Sequence, residues 1–300
     1  MSPLGGPLVS STAREKPRNP ADSQGVAPMK DWRPTSRLSS RQIAQVAERL
    51  GQRDREILRL VSRFRVASGA QLARLFWVEG KPPTRARLAR RGLARLADLE
   101  ILERLPRRIG GVRAGSSGLV FAPGRIGQRL LQKEQSSDRR IRRAYAPGPR
   151  FLAHALAVVE LYTGLIEAQR WEAVEVLAFD PEPASWRTYP GPYGARLTAK
   201  PDAFVRLGAG QFELSWFIEM DMATEAPVTL AGKARVYLDL FRAGVEQSAH
   251  GVFPRVAWIA PDEDRAEVIR EALAPIGHPE LFAVTTVSEA VTLLATEVSA

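Results

Sequence analysis

Asp202, Glu219 and Lys233 are the residues of this chain whose types and spacing can do chemistry. Asp202, Phe204 and Arg206 alternate with Ala203, Val205 and Leu207, the period of two expected of a strand. Gly208-Ala209-Gly210 supplies a turn, and Phe212, Leu214, Trp216 and Ile218 alternate with Glu213, Ser215 and Glu219 in a second strand. Folded back antiparallel about that turn, the strands set Asp202 nearly opposite Glu219. Facing residues of such a pair share one side of the sheet, with Cβ atoms about 4.5–5.5 Å apart. Two carboxylates that close repel each other unless a cation lies between them, and hard oxygen donors suit Mg²⁺ or Mn²⁺.

A helix over 224–244 follows, with Pro227 tolerated in its first turn. Leu230, Lys233, Tyr237 and Leu240 recur at helical spacing, so Lys233 falls on the apolar side. A lysine there either snorkels to the rim or points across the sheet to the carboxylates. In the second case it would stabilise a scissile phosphate or orient water. Another helix spans 151–169 and carries Glu160 among aliphatic residues. His154 lies six residues earlier, on a different face, and reads as a packing or hydrogen-bonding residue rather than a ligand. Short strands are expected over 174–179 and 185–189, with strand, helix and strand over 256–259, 263–276 and 282–285.

Pro201-Asp202, Glu219-Met220-Asp221 and this order of elements resemble the PD-(D/E)XK nuclease superfamily. The resemblance implies a divalent ion held by Asp202 and Glu219, with Glu160 as an outer carboxylate. It also implies a catalytic lysine two residues after the glutamate. This chain has Asp221 there, which makes Lys233 the substitute.

Composition divides the chain. Residues 1–150 hold 32 Lys and Arg against 12 Asp and Glu, whereas residues 151–300 hold 11 against 21. A basic half joined to an acidic one suggests that the first binds a polyanion and the second holds cations. No cysteine is present, which excludes disulfides, thiolate zinc sites and a Cys nucleophile. With no long apolar run and no signal-like N-terminus, the expectation is a cytoplasmic protein without membrane partners. Residues 1–36, rich in Ser, Pro and Gly, read as a disordered arm.

Within the basic half, helices are expected from Arg53, from Ser68-Gly69-Ala70, and from Thr84 as N-cap through Leu99. Leu88, Leu93, Leu96 and Leu99 form the third helix's apolar stripe. Strands at 101–105 and 119–121 flank a Gly/Arg-rich turn. Three helices and a basic hairpin make a winged helix-turn-helix over 37–148, followed by a mixed sheet flanked by helices over 149–300. The fold class is therefore α+β or α/β. Arg85, Arg87, Arg90, Arg91 and Arg95 on the third helix, with Arg107, Arg108 and Arg113 in the turn, are the candidate DNA contacts. The helix offers no Asn or Gln, which favours phosphate anchoring over base readout. Arg139–Arg143 form a further basic block, a footprint extension or a solvated linker, and Pro147-Gly148-Pro149 sets the boundary.

Over residues 50–290 the chain resembles the replication-relaxation proteins of actinobacterial plasmids and conjugative elements. The resemblance is carried by Arg53-Asp-Arg-Glu-Ile-Leu, the His154 helix, Pro201-Asp202, Glu219-Met220-Asp221, Thr224-Glu225 and Lys233. It implies DNA and other replication or conjugation proteins as partners. No histidine triad or tyrosine nucleophile of a rolling-circle relaxase is evident. Two functions follow from the residues: a metal-dependent DNA endonuclease or nickase, or a non-catalytic DNA-binding accessory on a nuclease-derived fold.

Overall fold

The computed structural model describes residues 39–108, 118–134 and 148–296. The arm at 1–36, Arg113 and the block Arg139–Arg143 lie outside the described residues. Helix α1 (Ser40–Glu48) opens with a Ser39/Gln42 capping box. Helix α2 (Gln52–Phe64) buries Ile57, Leu58, Val61 and Phe64, a single helical stripe. Strand β1 (Ala67–Ser68) leads into α3 (Gly69–Phe76), whose cap is a second reciprocal box between Ser68 and Gln71.

Helix α4 (Pro82–Asp98) starts earlier than Thr84 predicts. Lys81 is the N-cap and Pro82 the first helical residue, a position where proline loses no hydrogen bond. Its buried stripe is Ala89, Leu93 and Leu96. Leu88 falls off that stripe and is exposed, which corrects its place in the predicted core. Gly92 permits the close approach of α3's end, since a Cβ there would stand 2.6 Å from the Trp77 ring. Strands β2 (Leu102–Arg108) and β3 (Leu119–Pro123) complete an antiparallel sheet in the order β1-β3-β2. Helix α5 (Arg125–Glu134), not anticipated from sequence, folds back on α1, α2 and β2.

Helix α6 (Pro149–Arg170) joins the two halves. Its Leu152 and Leu156 share a core with Val66, Leu105, Val120 and Ala122. Tyr162 packs at 5.1 Å, centroid to centroid, from both Phe64 of α2 and Phe179 of the following strand. By length and composition α6 is apolar enough to cross a membrane, the one such helix among the described residues. The reason is packing: it is sandwiched between α3 on one side and the large sheet on the other. The described residues accordingly form one compact unit, and the boundary expected near 145–150 falls between halves with a common core.

Strands β4 (Glu175–Pro181), β5 (Arg187–Pro190), β6 (Arg196–Ala199), β7 (Ala203–Ala209) and β8 (Phe212–Met220) precede α7 (Pro227–Ala243) and α8 (Val245–His250). Then come β9 (Arg255–Ala260), α9 (Glu263–Leu273), β10 (Phe282–Thr286) and α10 (Ala290–Ala295). The main sheet runs β10-β9-β8-β7-β4, with β8, β9 and β10 mutually parallel and β7 antiparallel to β4 and β8. Helices α7 and α9 cover one face through Phe217, Val256, Trp258 and Ala260. On the other face α6 and α10 pack, and the Trp216 indole donates to the Leu294 carbonyl at 3.2 Å. Strands β5 and β6 form a separate two-stranded ribbon.

Candidate functional site

The β7–β8 register pairs Ala203 with Ile218, so Asp202 and Glu219 are the next opposed positions at the strand ends. Glu219 shares its sheet face with Phe217 and points under α7. Its side chain is only 5% exposed. Lys233 and Tyr237, one turn apart on α7, reach down to it. The ammonium donates to Oε2 at 2.9 Å and the phenol to Oε1 at 2.5 Å. Lys233 also pairs with Glu225 Oε1 at 2.8 Å. Asp202 Oδ2 accepts the Met220 N–H at 2.7 Å and stands 3.1 Å from His154 Nε2.

Electrostatics follow from this crowding. Burial first, and the Asp202 charge second, push the Glu219 carboxyl up to about 7, against the pull of Lys233 and Tyr237. Burial and the adjacent Glu219 raise the Tyr237 phenol well above its ordinary value, so it remains a donor. Burial alone would lower Lys233, but Glu219 and Glu225 overcome it and keep the ammonium charged. The hydrogen bond to Asp202 raises His154 against the opposing effect of its own burial.

Asp221, which stands where the superfamily pattern has lysine, is engaged otherwise. Its carboxylate takes a two-pronged pair from Arg265, both contacts at 2.8 Å. The same guanidinium donates to the Glu225 carbonyl at 2.7 Å. Arg265 thus holds the 221–225 loop, and with it the residue that flanks Lys233.

On α4, Arg87, Arg90 and Arg91 are exposed and have no ion partner among the described residues. Arg95 is tied to Asp54 of α2 at 2.5 Å, and Arg85 donates to the Val78 carbonyl at 3.1 Å. Arg107 and Arg108 lie at the end of β2.

The family model for replication-relaxation matches residues 58–256, from within α2 to the start of β9. The chain belongs to the replication-relaxation family. The matched span holds Asp202, Glu219, Glu225, Lys233 and Tyr237 together with all of α4, while Arg265 lies beyond it. No curated protein matches. Among solved structures, that of the restriction endonuclease FokI aligns with 84% of this chain and 68% of its own at 9% identity. Its TM-score is 0.25.

In this replication-relaxation protein Glu160 is not brought to the cluster. It pairs with Arg74 and accepts from Gln71 at 3.0 Å, both on α3. This corrects its expected place beside Asp202 and Glu219. The physical reason is that α6 is buried on two sides, so its aliphatic surroundings did not reveal which neighbour Glu160 faces. His154 does approach, as a hydrogen-bonding partner of Asp202, one of the two roles that the sequence suggests for it. Tyr237, Glu225 and Arg265 were missed as members. Tyr237 had a signal, since it follows Lys233 by four residues on the same stripe. Among the described residues no three of His, Asp and Glu converge as a ligand set.

Proposed function

We propose that this chain is a DNA-binding protein of plasmid or mobile-element replication, and that Asp202, Glu219 and Lys233 form a Mg²⁺- or Mn²⁺-dependent DNA endonuclease or nickase site. The observation that carries the reading is that Asp202 and Glu219 stand at opposed ends of neighbouring strands, near enough for the Asp202 charge to raise the Glu219 carboxyl, with an ammonium supplied to Glu219 by the covering helix.

The donor set fits such an ion. Mg²⁺ keeps most of its waters and is held by one or two carboxylates plus substrate phosphate, so a three-ligand cage is not needed. Burial is the larger cause of the raised Glu219 carboxyl and the Asp202 charge the second, and a cation beside both carboxylates would oppose the second. A bound ion would supply an acidified water and neutralise charge on the phosphate. Asp202 is held in place by the Met220 N–H and His154. Lys233, fixed between Glu219 and Glu225, keeps a permanent positive charge at the edge of the site, where a phosphate would meet it.

DNA binding is supported by the first half. Its helices α2, α3 and α4 with the β1-β3-β2 sheet have the order of a winged helix-turn-helix, in which α4 enters the major groove. Replacing Arg87, Arg90 and Arg91 with alanine should weaken DNA binding. It should also reduce the log–log salt slope by about 0.9 for each phosphate that these arginines neutralise. An unchanged slope in a folded variant, read by fluorescence anisotropy across a salt series, would move the DNA surface away from α4.

Cleavage is tested by incubating supercoiled plasmid with the protein and Mg²⁺ or Mn²⁺, beside an Asp202→Ala control. Nicked or linear product that the control lacks is expected. A second reading has its own support: both Glu219 oxygens already carry hydrogen bonds, from Lys233 and Tyr237, which suits a closed structural cluster. Absence of product with either metal, on DNA shown to be bound, would make the protein a non-catalytic DNA-binding accessory.

A further inference from the structure

The β5–β6 ribbon stands out in the acidic half. Residues 183–200 contain Arg187, Arg196 and Lys200 and no Asp or Glu, within a half where acids outnumber bases almost two to one. They also place two aromatic rings in solvent, Trp186 and Tyr193. Tyr193, at the turn, is fully exposed and adopts a left-handed backbone with φ of 57°. A bulky residue costs energy in that conformation, and glycines stand nearby at 191 and 194. A strained, solvated aromatic tip gains nothing for the fold, and strain of this kind points to a contact made with something else.

The base of the ribbon, by contrast, is anchored. Tyr189 and Ala199 are buried in the core beneath α7. Arg187 turns inward, 4.7 Å over the Phe204 ring and paired with the buried Glu246 at 3.1 Å. The Ser185 hydroxyl donates to the Pro201 carbonyl at 2.5 Å, and the Glu182 N–H to the Asp202 carbonyl at 3.0 Å. A rigid base with an unpartnered tip is a preorganised binding element. The cations left outside are Arg196 and Lys200, neither with an ion partner among the described residues. Lys200 lies 4.9 Å over the Trp186 ring and two residues before Asp202.

We infer that this ribbon is a binding element for single-stranded DNA, with Tyr193 stacking on an unpaired base while Arg196 and Lys200 follow the phosphates toward Asp202. Aromatic faces combined with cations are the chemistry of single-strand binding. The segment contains no Asn or Gln to read base edges, so recognition is tolerant of sequence. The inference rests on the DNA-binding reading and deepens it, assigning α4 to duplex and the ribbon to an adjoining unpaired strand.

The full chain is titrated, by anisotropy in EDTA, against a labelled twenty-nucleotide oligo-dT and against a labelled duplex. Tyr193→Ala should lose about 5- to 150-fold in affinity for the single strand, the worth of one base–aromatic stack, with duplex affinity unchanged. Tyr193→Phe keeps the ring and should bind as the parent does. Arg196→Ala with Lys200→Ala should weaken single-strand binding and lower its salt slope. Equal single-strand affinity of Tyr193→Ala and the parent overturns the inference alone, provided the duplex is bound. Equal losses for single strand and duplex also overturn it, because the ribbon would then not discriminate. Failure of the parent to bind either DNA overturns the DNA-binding reading as well.

Discussion

Asp221→Ala is expected to destabilise the protein by roughly 3–5 kcal/mol, because it strands a guanidinium that is only 13% exposed. Arg265 would retain the Glu225 carbonyl as an acceptor but have no carboxylate to pair with. In thermal unfolding that loss corresponds to a drop in Tm of roughly 6–15 °C for a unit of this size. Removing both charges with Asp221→Leu and Arg265→Met should cost less than either single change to alanine, since a buried pair costs desolvation that apolar residues do not. A fall of less than about 1 kcal/mol for Asp221→Ala in chemical denaturation would mean that Arg265 finds solvent and that the pair is not closed. The effect reaches the site as well. Once the 221–225 loop loosens, Glu225 no longer flanks Lys233, and the ammonium keeps Glu219 as its sole carboxylate partner.

The same pair shows where the sequence stops being legible. Asp202 opposite Glu219 could be read because a period of two on both sides of Gly208-Ala209-Gly210 admits one register in which both apolar sets face the core. Lys233 could be read because helical spacing placed it on the stripe of Leu230 and Tyr237. Asp221 and Arg265 are separated by 44 positions and meet only because β8 and β9 lie side by side with α9 following β9. No local pattern encodes that contact. Glu160 failed for a different reason: a helix buried between two layers lacks the polar face that would fix its rotation. Pro147-Gly148-Pro149 predicts a break between domains, yet Pro149 is the first residue of α6, where its missing N–H costs nothing. Strand β6 is four residues long and exists through its pairing with β5, so its own sequence carried little signal.

Glu219→Gln should change how stability depends on pH. The Glu219 carboxyl lies at about 7 in the folded protein, raised from an ordinary 4.5 by burial and by Asp202. Between those values the folded state binds more protons than the unfolded chain, so stability falls as pH rises. Glu219's contribution is therefore complete below about pH 4.5 and lost as pH climbs through about 7. The shift corresponds to roughly 3 kcal/mol across that interval. Glutamine has no proton to release and removes this slope. His154, raised by its bond to Asp202, adds a slope of the same sign, but it is present in both proteins and cancels in their difference. Lys233 titrates far above the interval. Relative to the parent, the variant should thus gain roughly 3 kcal/mol between pH 4.5 and pH 8, measured by urea denaturation in EDTA. A difference between the two proteins that stays constant with pH would show Glu219 ionised throughout. Lys233 would then already balance it, and the carboxylate pair would not be short of positive charge.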